Sequence, residues 1–202
     1  NLYVDGALED SEAATYIMGS ANTYNFQFAK TYYSVYANFT LDELAIYDYP
    51  LSQSNVSDLY NSGTGYVHTG SENGLVTLYH FDDGYDGIYD TSGDGYRAWC
   101  TPTRCPTYND TGKINSGWTF PDRTDVVKTN LTFKTGQNYT WETWFLSTDS
   151  SHTLYSGNTS VVWFPNEVNE TFSIENIVNI FYKKSDLSDF SRSATLKLSA
   201  SD

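Results

Sequence analysis

Basic residues are scarce. Only 11 of the 202 residues are Lys or Arg, against 25 Asp and Glu, and they are scattered rather than clustered. A net charge of −14 without a basic cluster in the sequence makes nucleic acid and anionic membrane surfaces poor partners. No apolar run approaches the roughly 20 residues that a spanning helix needs, so membrane insertion of that kind is not expected. Neither an initiator Met nor a signal peptide is visible, and the chain starts within the strand-like Asn1-Leu2-Tyr3-Val4. That is expected of a mature piece or an excerpt of a longer chain.

Recognisable catalytic sets are missing too. No Glu-x-Asp-x-Glu strand aims two carboxylates at one glycosidic bond. Glu167 and Glu170 would face opposite sides of a strand, and Glu142, set among Trp residues, reads as a surface residue. His68, His80 and His152 stand apart, with no Ser or Cys motif beside them. An enzyme is therefore not expected; the enzyme alternative would rest on Glu142 or Glu170.

Cysteine is limited to Cys100 and Cys105, which enclose Thr-Pro-Thr-Arg, a spacing of neither a zinc knuckle nor a redox Cys-x-x-Cys. A disulfide is expected. Closing so short a loop stabilises by roughly 2 kcal/mol and would pin a hairpin tip. Seven sequons accompany it, at Asn38, Asn55, Asn109, Asn130, Asn138, Asn158 and Asn169. Together they point to a glycoprotein at the cell surface or outside the cell.

Aromatic residues, by contrast, reach 17%, led by 18 Tyr, and Thr, Ser, Asn and Gly are plentiful. This composition favours strands and turns, hence an all-β fold. Around Asp5-Gly6, residues 1–8 carry a hairpin signal. In 41–51, Leu44 and Ile46 alternate with Glu43, Ala45 and Tyr47, as in a strand with one buried face. Val56, Leu59 and Tyr60 form the apolar stripe of a short helix over 52–60, capped by Ser52 or Ser54 and stopped at Gly63. Residues 64–73 read as a polar, glycine-rich linker, and 75–81 as the next strand.

Further on, 111–120 and 125–127 read as a pair of strands around a turn at Pro121-Asp122. The strongest strand is 139–146, apolar on both faces and so expected to be covered on both. Segments 153–156, 160–164, 172–182 and 194–200 continue the series. Many short strands with regular turns argue for a sandwich or jelly roll.

Asp82, Asp83, Asp86, Asp90 and Asp94 alternate with glycines, which offers hard oxygen ligands of the kind Ca²⁺ prefers. The competing reading makes them turn-formers. Asp42 and Glu43 could reach the same site if the two parts of the chain meet. Tyr96, Trp99, Trp118 and Trp163 are candidates for stacking on sugar rings, the alternative being that most Trp are core.

Leu78-Tyr79-His80-Phe81-Asp82-Asp83-Gly84, Asp90-Thr91-Ser92-Gly93, Gly112-Lys113 with Trp118 and Phe120, and the strand from Trp141 to Phe145 resemble the opening half of a laminin G-like, concanavalin A-like jelly-roll domain. Leu2-Tyr3-Val4-Asp5-Gly6 and the stretch from Leu41 to Gly63 resemble its closing half. The resemblance implies an antiparallel sandwich with one helix, its halves in permuted or tandem order. Residues 1–63 would be a closing half, 64–73 a linker and 74–202 an opening half. No Trp-x-His strand precedes Leu2, so the resemblance implies the expectation of a strand that is absent or supplied from elsewhere.

Three arrangements fit that order: one period of a tandem array, a circular permutant, or a subunit that completes domains with its neighbours. The expected function is an extracellular structural or adhesive module that assembles with neighbouring copies or repeats. The alternative is a lectin domain supported by structural Ca²⁺, with glycans as partners.

Overall fold

The computed structural model describes residues 1–11, 26–28, 39–84, 87–121, 125, 127–132, 138–147, 162–163 and 193–198. Among these residues, two antiparallel sheets and one short α-helix form a sandwich-like fold. The larger sheet runs β2 (Ala7–Asp10), β1 (Leu2–Val4), β12 (Ser193–Leu198), β10 (Tyr139–Ser147), β4 (Phe39–Tyr47), β8 (Gly117–Phe120), β7 (Thr107–Asn109). Alongside β4 lies β5 (Leu75–Tyr79). The smaller sheet runs β11 (Val162–Trp163), β3 (Gln27–Phe28), β9 (Val127–Thr129), β6 (Ala98–Trp99). The expected strands over 153–156 and 172–182 lie outside the described residues.

β4 is the hub. One edge pairs with β10 along most of its length; the other is shared, with Phe39–Leu41 against β8 and Leu44–Tyr47 against β5. Residues 1–63 and 74–202 therefore contribute neighbouring strands to one sheet. At the change of partner the pairing slips: Ala45 faces Glu142, but Asp42 already faces Trp144. This one-residue bulge, with Glu43 at φ 52°, lets Leu41 and Leu44 both join the core. It thereby turns Asp42 and Glu43 away from the core together.

The core between the sheets takes Leu41, Leu44, Ile46, Phe120 and Trp141 from the larger sheet and Ala98 and Val127 from the smaller. On the other side of the larger sheet, Ala45, Tyr47 and Leu78 meet Leu51, Val56 and Leu59. The last two belong to helix α1 (Gln53–Tyr60), where Ser52 and Asn55 cap each other reciprocally. Covered on both faces, β10 buries Trp141, Glu142, Thr143 and Trp144 in succession.

Two local expectations are corrected. β8 and β9 do not form a hairpin across Pro121, because β8 pairs with β4 and β7 whereas β9 pairs with β3 and β6. The Cys100–Cys105 disulfide is present, but it does not pin a hairpin tip. It closes the corner where the chain leaves β6 in one sheet for β7 in the other. Among the described residues, no helix is long and apolar enough to cross a membrane.

Candidate metal centre

The outward turn at the β4 bulge places Glu43 beside His80, the residue that follows β5. Both carboxylate oxygens of Glu43 lie near His80 Nδ1, at 2.8 and 2.9 Å. Asp82 stands two residues further on, past Phe81, whose φ of 63° bends the chain. Glu43, His80 and Asp82 bring potential ligand atoms within 4.8 Å of one another.

Asp82 also organises the loop before β8. Its Oδ1 accepts from the Ser116 N–H (3.0 Å) and hydroxyl (2.8 Å), and its Oδ2 from Asn115 Nδ2 (3.0 Å). The same loop donates the Ile114 N–H to Asp42 Oδ2 at 2.7 Å. Gly112 permits this close seat, since a Cβ there would collide with the Ser116 carbonyl and the Asp42 carboxylate. Asp42 Oδ1 is buried with no hydrogen-bond partner among the described residues.

Burial pushes the Asp42 carboxyl up to about 8, and the charges of Glu43 and Asp82 add to the rise against the opposing Ile114 hydrogen bond. Burial likewise raises Glu43, only partly offset by His80. The hydrogen bond that His80 donates to Glu43 raises His80 in return, against the effect of its own burial. A proton thus bridges a carboxylate and an imidazole at a place where more carboxylates wait. A divalent cation can replace that proton.

One imidazole and two carboxylates fit a divalent cation. The nitrogen donor departs from the all-oxygen set that Ca²⁺ favours and suits Mn²⁺ or Zn²⁺ equally well.

A second buried pair adjoins the first. His68 Nε2 meets Glu142 Oε2 at 2.9 Å, and Nδ1 lies 3.3 Å from the Tyr47 hydroxyl and 4.0 Å from Glu72 Oε1. Glu142 is 1% exposed, which corrects its reading as a surface residue. His68 arrives on the 64–73 segment, which is folded against the sheet. There Glu72 accepts the Thr69 and Gly70 N–H groups, and Gly70, at φ 80°, passes too close to the Thr91 carbonyl to carry a side chain.

Of the seven residues offered as oxygen ligands, Glu43 and Asp82 come together; Asp42, beside Glu43 in sequence, is not in that group, and Asp86 lies outside the described residues. Asp90 does not join them. Its carboxylate takes the N–H groups of Leu78, Ser92 and Tyr96, which is the work of a turn-former. Asp83 accepts the Tyr89 N–H. His80 was missed. The left-handed bend at Phe81, which strand alternation does not encode, is what brings it beside Asp82.

Of the aromatic candidates, Trp118 is buried in the core and Tyr96 packs against it half-buried. Trp99 is 40% exposed, and Trp163 is placed by register in β11. Among the sequons, Asn55 and Asn130 are exposed and Asn109 and Asn138 half-buried; Asn38, Asn158 and Asn169 lie outside the described residues. Comparison with protein-family models, curated proteins and solved structures gives no match.

Proposed function

We propose that the chain is a carbohydrate-binding β-sandwich module of the concanavalin A-like, jelly-roll kind, supported by a divalent cation. The observation that carries this reading is the convergence of Glu43, His80 and Asp82. These groups come from β4, the end of β5 and the turn beyond it, and Asp82 also holds the loop before β8. A cation there would tie the two sequence halves at the hub of the larger sheet. Its role is structural, and Ca²⁺, Mn²⁺ and Zn²⁺ are the candidates. Exposed Trp99 and Tyr89 supply aromatic surface for sugars. The Cys100–Cys105 disulfide and the sequons favour a glycoprotein working outside the cytosol.

Binding is favoured over catalysis because the Glu142 carboxylate is buried against His68, where a substrate would not reach it. The adhesive-fibre reading needs halves shared between neighbouring chains. Here β4 sits between β10 and β5 of its own chain, which favours a self-contained module.

The test is a melt of chelated protein with and without Ca²⁺, Mn²⁺ or Zn²⁺, followed by a glycan array on loaded and chelated samples. A cation at 100 times its Kd adds about 2.7 kcal/mol of stability. Glycan capture by the loaded protein supports the carbohydrate reading, and a melt raised by the cation supports the metal centre. An array blank with loaded protein removes the carbohydrate ligand, and an unchanged melt removes the cation.

A further inference from the structure

The smaller sheet carries a surface that the metal centre does not use. One cross-strand row runs through all four strands: Trp163 opposite Gln27, Gln27 opposite Lys128, and Lys128 opposite Trp99. On either side of Lys128, Val127 and Thr129 are buried, and Ala98 before Trp99 is buried too. Strand alternation therefore puts Lys128 and Trp99 on the face away from the core. Lys128 is exposed there, and Trp99 is 40% exposed.

The platform continues past β6. An antiparallel bridge joins Ile88 to Ala98, which puts Gly87 on the Trp99 side of that bridge. The Tyr89 ring, 47% exposed, lies against Gly87, 3.4 Å from where a Cβ would stand. Arg97, immediately before β6 and two residues from Trp99, is exposed.

Two basic residues adjoin the aromatic ones here. In a chain with 25 acidic and 11 basic residues, no Asp or Glu occupies a position in the row, which holds Lys128 and is flanked by Arg97. Asp83, at the Tyr89 edge, is engaged by the Tyr89 N–H.

We propose that this face binds an acidic polysaccharide, with a ring stacked on the exposed aromatic surface of Trp99 and Tyr89 and anionic groups held by Lys128 and Arg97. Lys128 faces Trp99 across one inter-strand step, about 5 Å, so a sugar on the indole brings its anionic group within reach of the lysine. The C–H face of a pyranose packs on the electron-rich face of an indole, and surface cations add attraction that salt screens. This inference rests on the carbohydrate-binding reading, but not on the cation.

Affinity electrophoresis of the full chain in carboxymethyl-cellulose, with hydroxyethyl-cellulose as the neutral counterpart, tests it. The protein carries Asn130→Gln, because that exposed sequon borders the face. Retardation by the charged polymer is expected, at least tenfold weaker in Trp99→Ala and in Lys128→Glu, largely retained in Trp99→Tyr, and unchanged by chelator. Equal retardation by both polymers overturns the acidic class. Retardation that survives Trp99→Ala and Lys128→Glu overturns the face. Glycan capture that needs the cation and ignores Trp99 keeps the carbohydrate reading and removes this one. Absence of binding to any polysaccharide removes both.

Discussion

The imidazole of His68 and the carboxylate of Glu142 meet at 2.9 Å across 74 residues of sequence, and both are shut away from solvent. The pair fastens the 64–73 segment to the centre of β10. Removing one member leaves the other buried and unpaired, which typically costs about 3–5 kcal/mol. Glu142→Ala is expected to lose about that much in urea unfolding, whereas His68→Leu with Glu142→Leu should lose less than Glu142→Ala alone. Equal losses would mean the pair carries no coupling.

The same pair sets a pH dependence. Burial alone would lower the His68 pKa, but the hydrogen bond and charge of Glu142, helped by Glu43 and Glu72, outweigh it and raise it. Tyr47 faces the same ring. A His with a raised folded pKa contributes its full stability below its unfolded value of about 6.5 and loses it as pH rises through the folded value. Chelated wild type should therefore lose stability above about pH 6.5 more steeply than His68→Gln. Asp42, pushed up to about 8, also weakens the fold as pH rises, and the difference between the two proteins isolates His68. Parallel profiles would refute the assignment.

Metal ligands and turn-formers separate by substitution. Glu43→Gln, His80→Ala and Asp82→Asn should each abolish the cation-induced rise in melting temperature. Asp90→Ala should keep that rise while destabilising the fold by about 2–3 kcal/mol, because three backbone N–H groups lose a charged acceptor. A cation response lost in Asp90→Ala would reverse the division.

Reduction probes the corner between the sheets. Cys100→Ser with Cys105→Ser should cost about 2 kcal/mol on the loop-closure account and leave cation binding intact. A cooperative transition lost altogether would show that the corner matters far more than its short loop implies.

Local patterns were legible where one short stretch carries the whole signal. The Asp5-Gly6 turn, the helix stripe of Val56 and Leu59 with its Ser52 cap, and the two-faced apolarity of β10 all depend on neighbours in sequence. The acidic string from Asp82 to Asp94 was visible, but not its division of labour. Asp90 finds its donors within its own turn and on Leu78, whereas Asp82 finds them on a loop more than thirty residues away.

The sequence by itself determined an antiparallel β fold with one short helix and a local disulfide, because strand alternation, helical spacing and loop closure act between residues close along the chain. Only the tertiary structure decided that a bulge in β4 would turn Glu43 toward His80, that Glu142 would be buried against His68, and that Trp99, Lys128, Gln27 and Trp163 would share one row. Those partners come from strands and loops far apart in the chain. Register and burial, which no local pattern encodes, choose which of them meet.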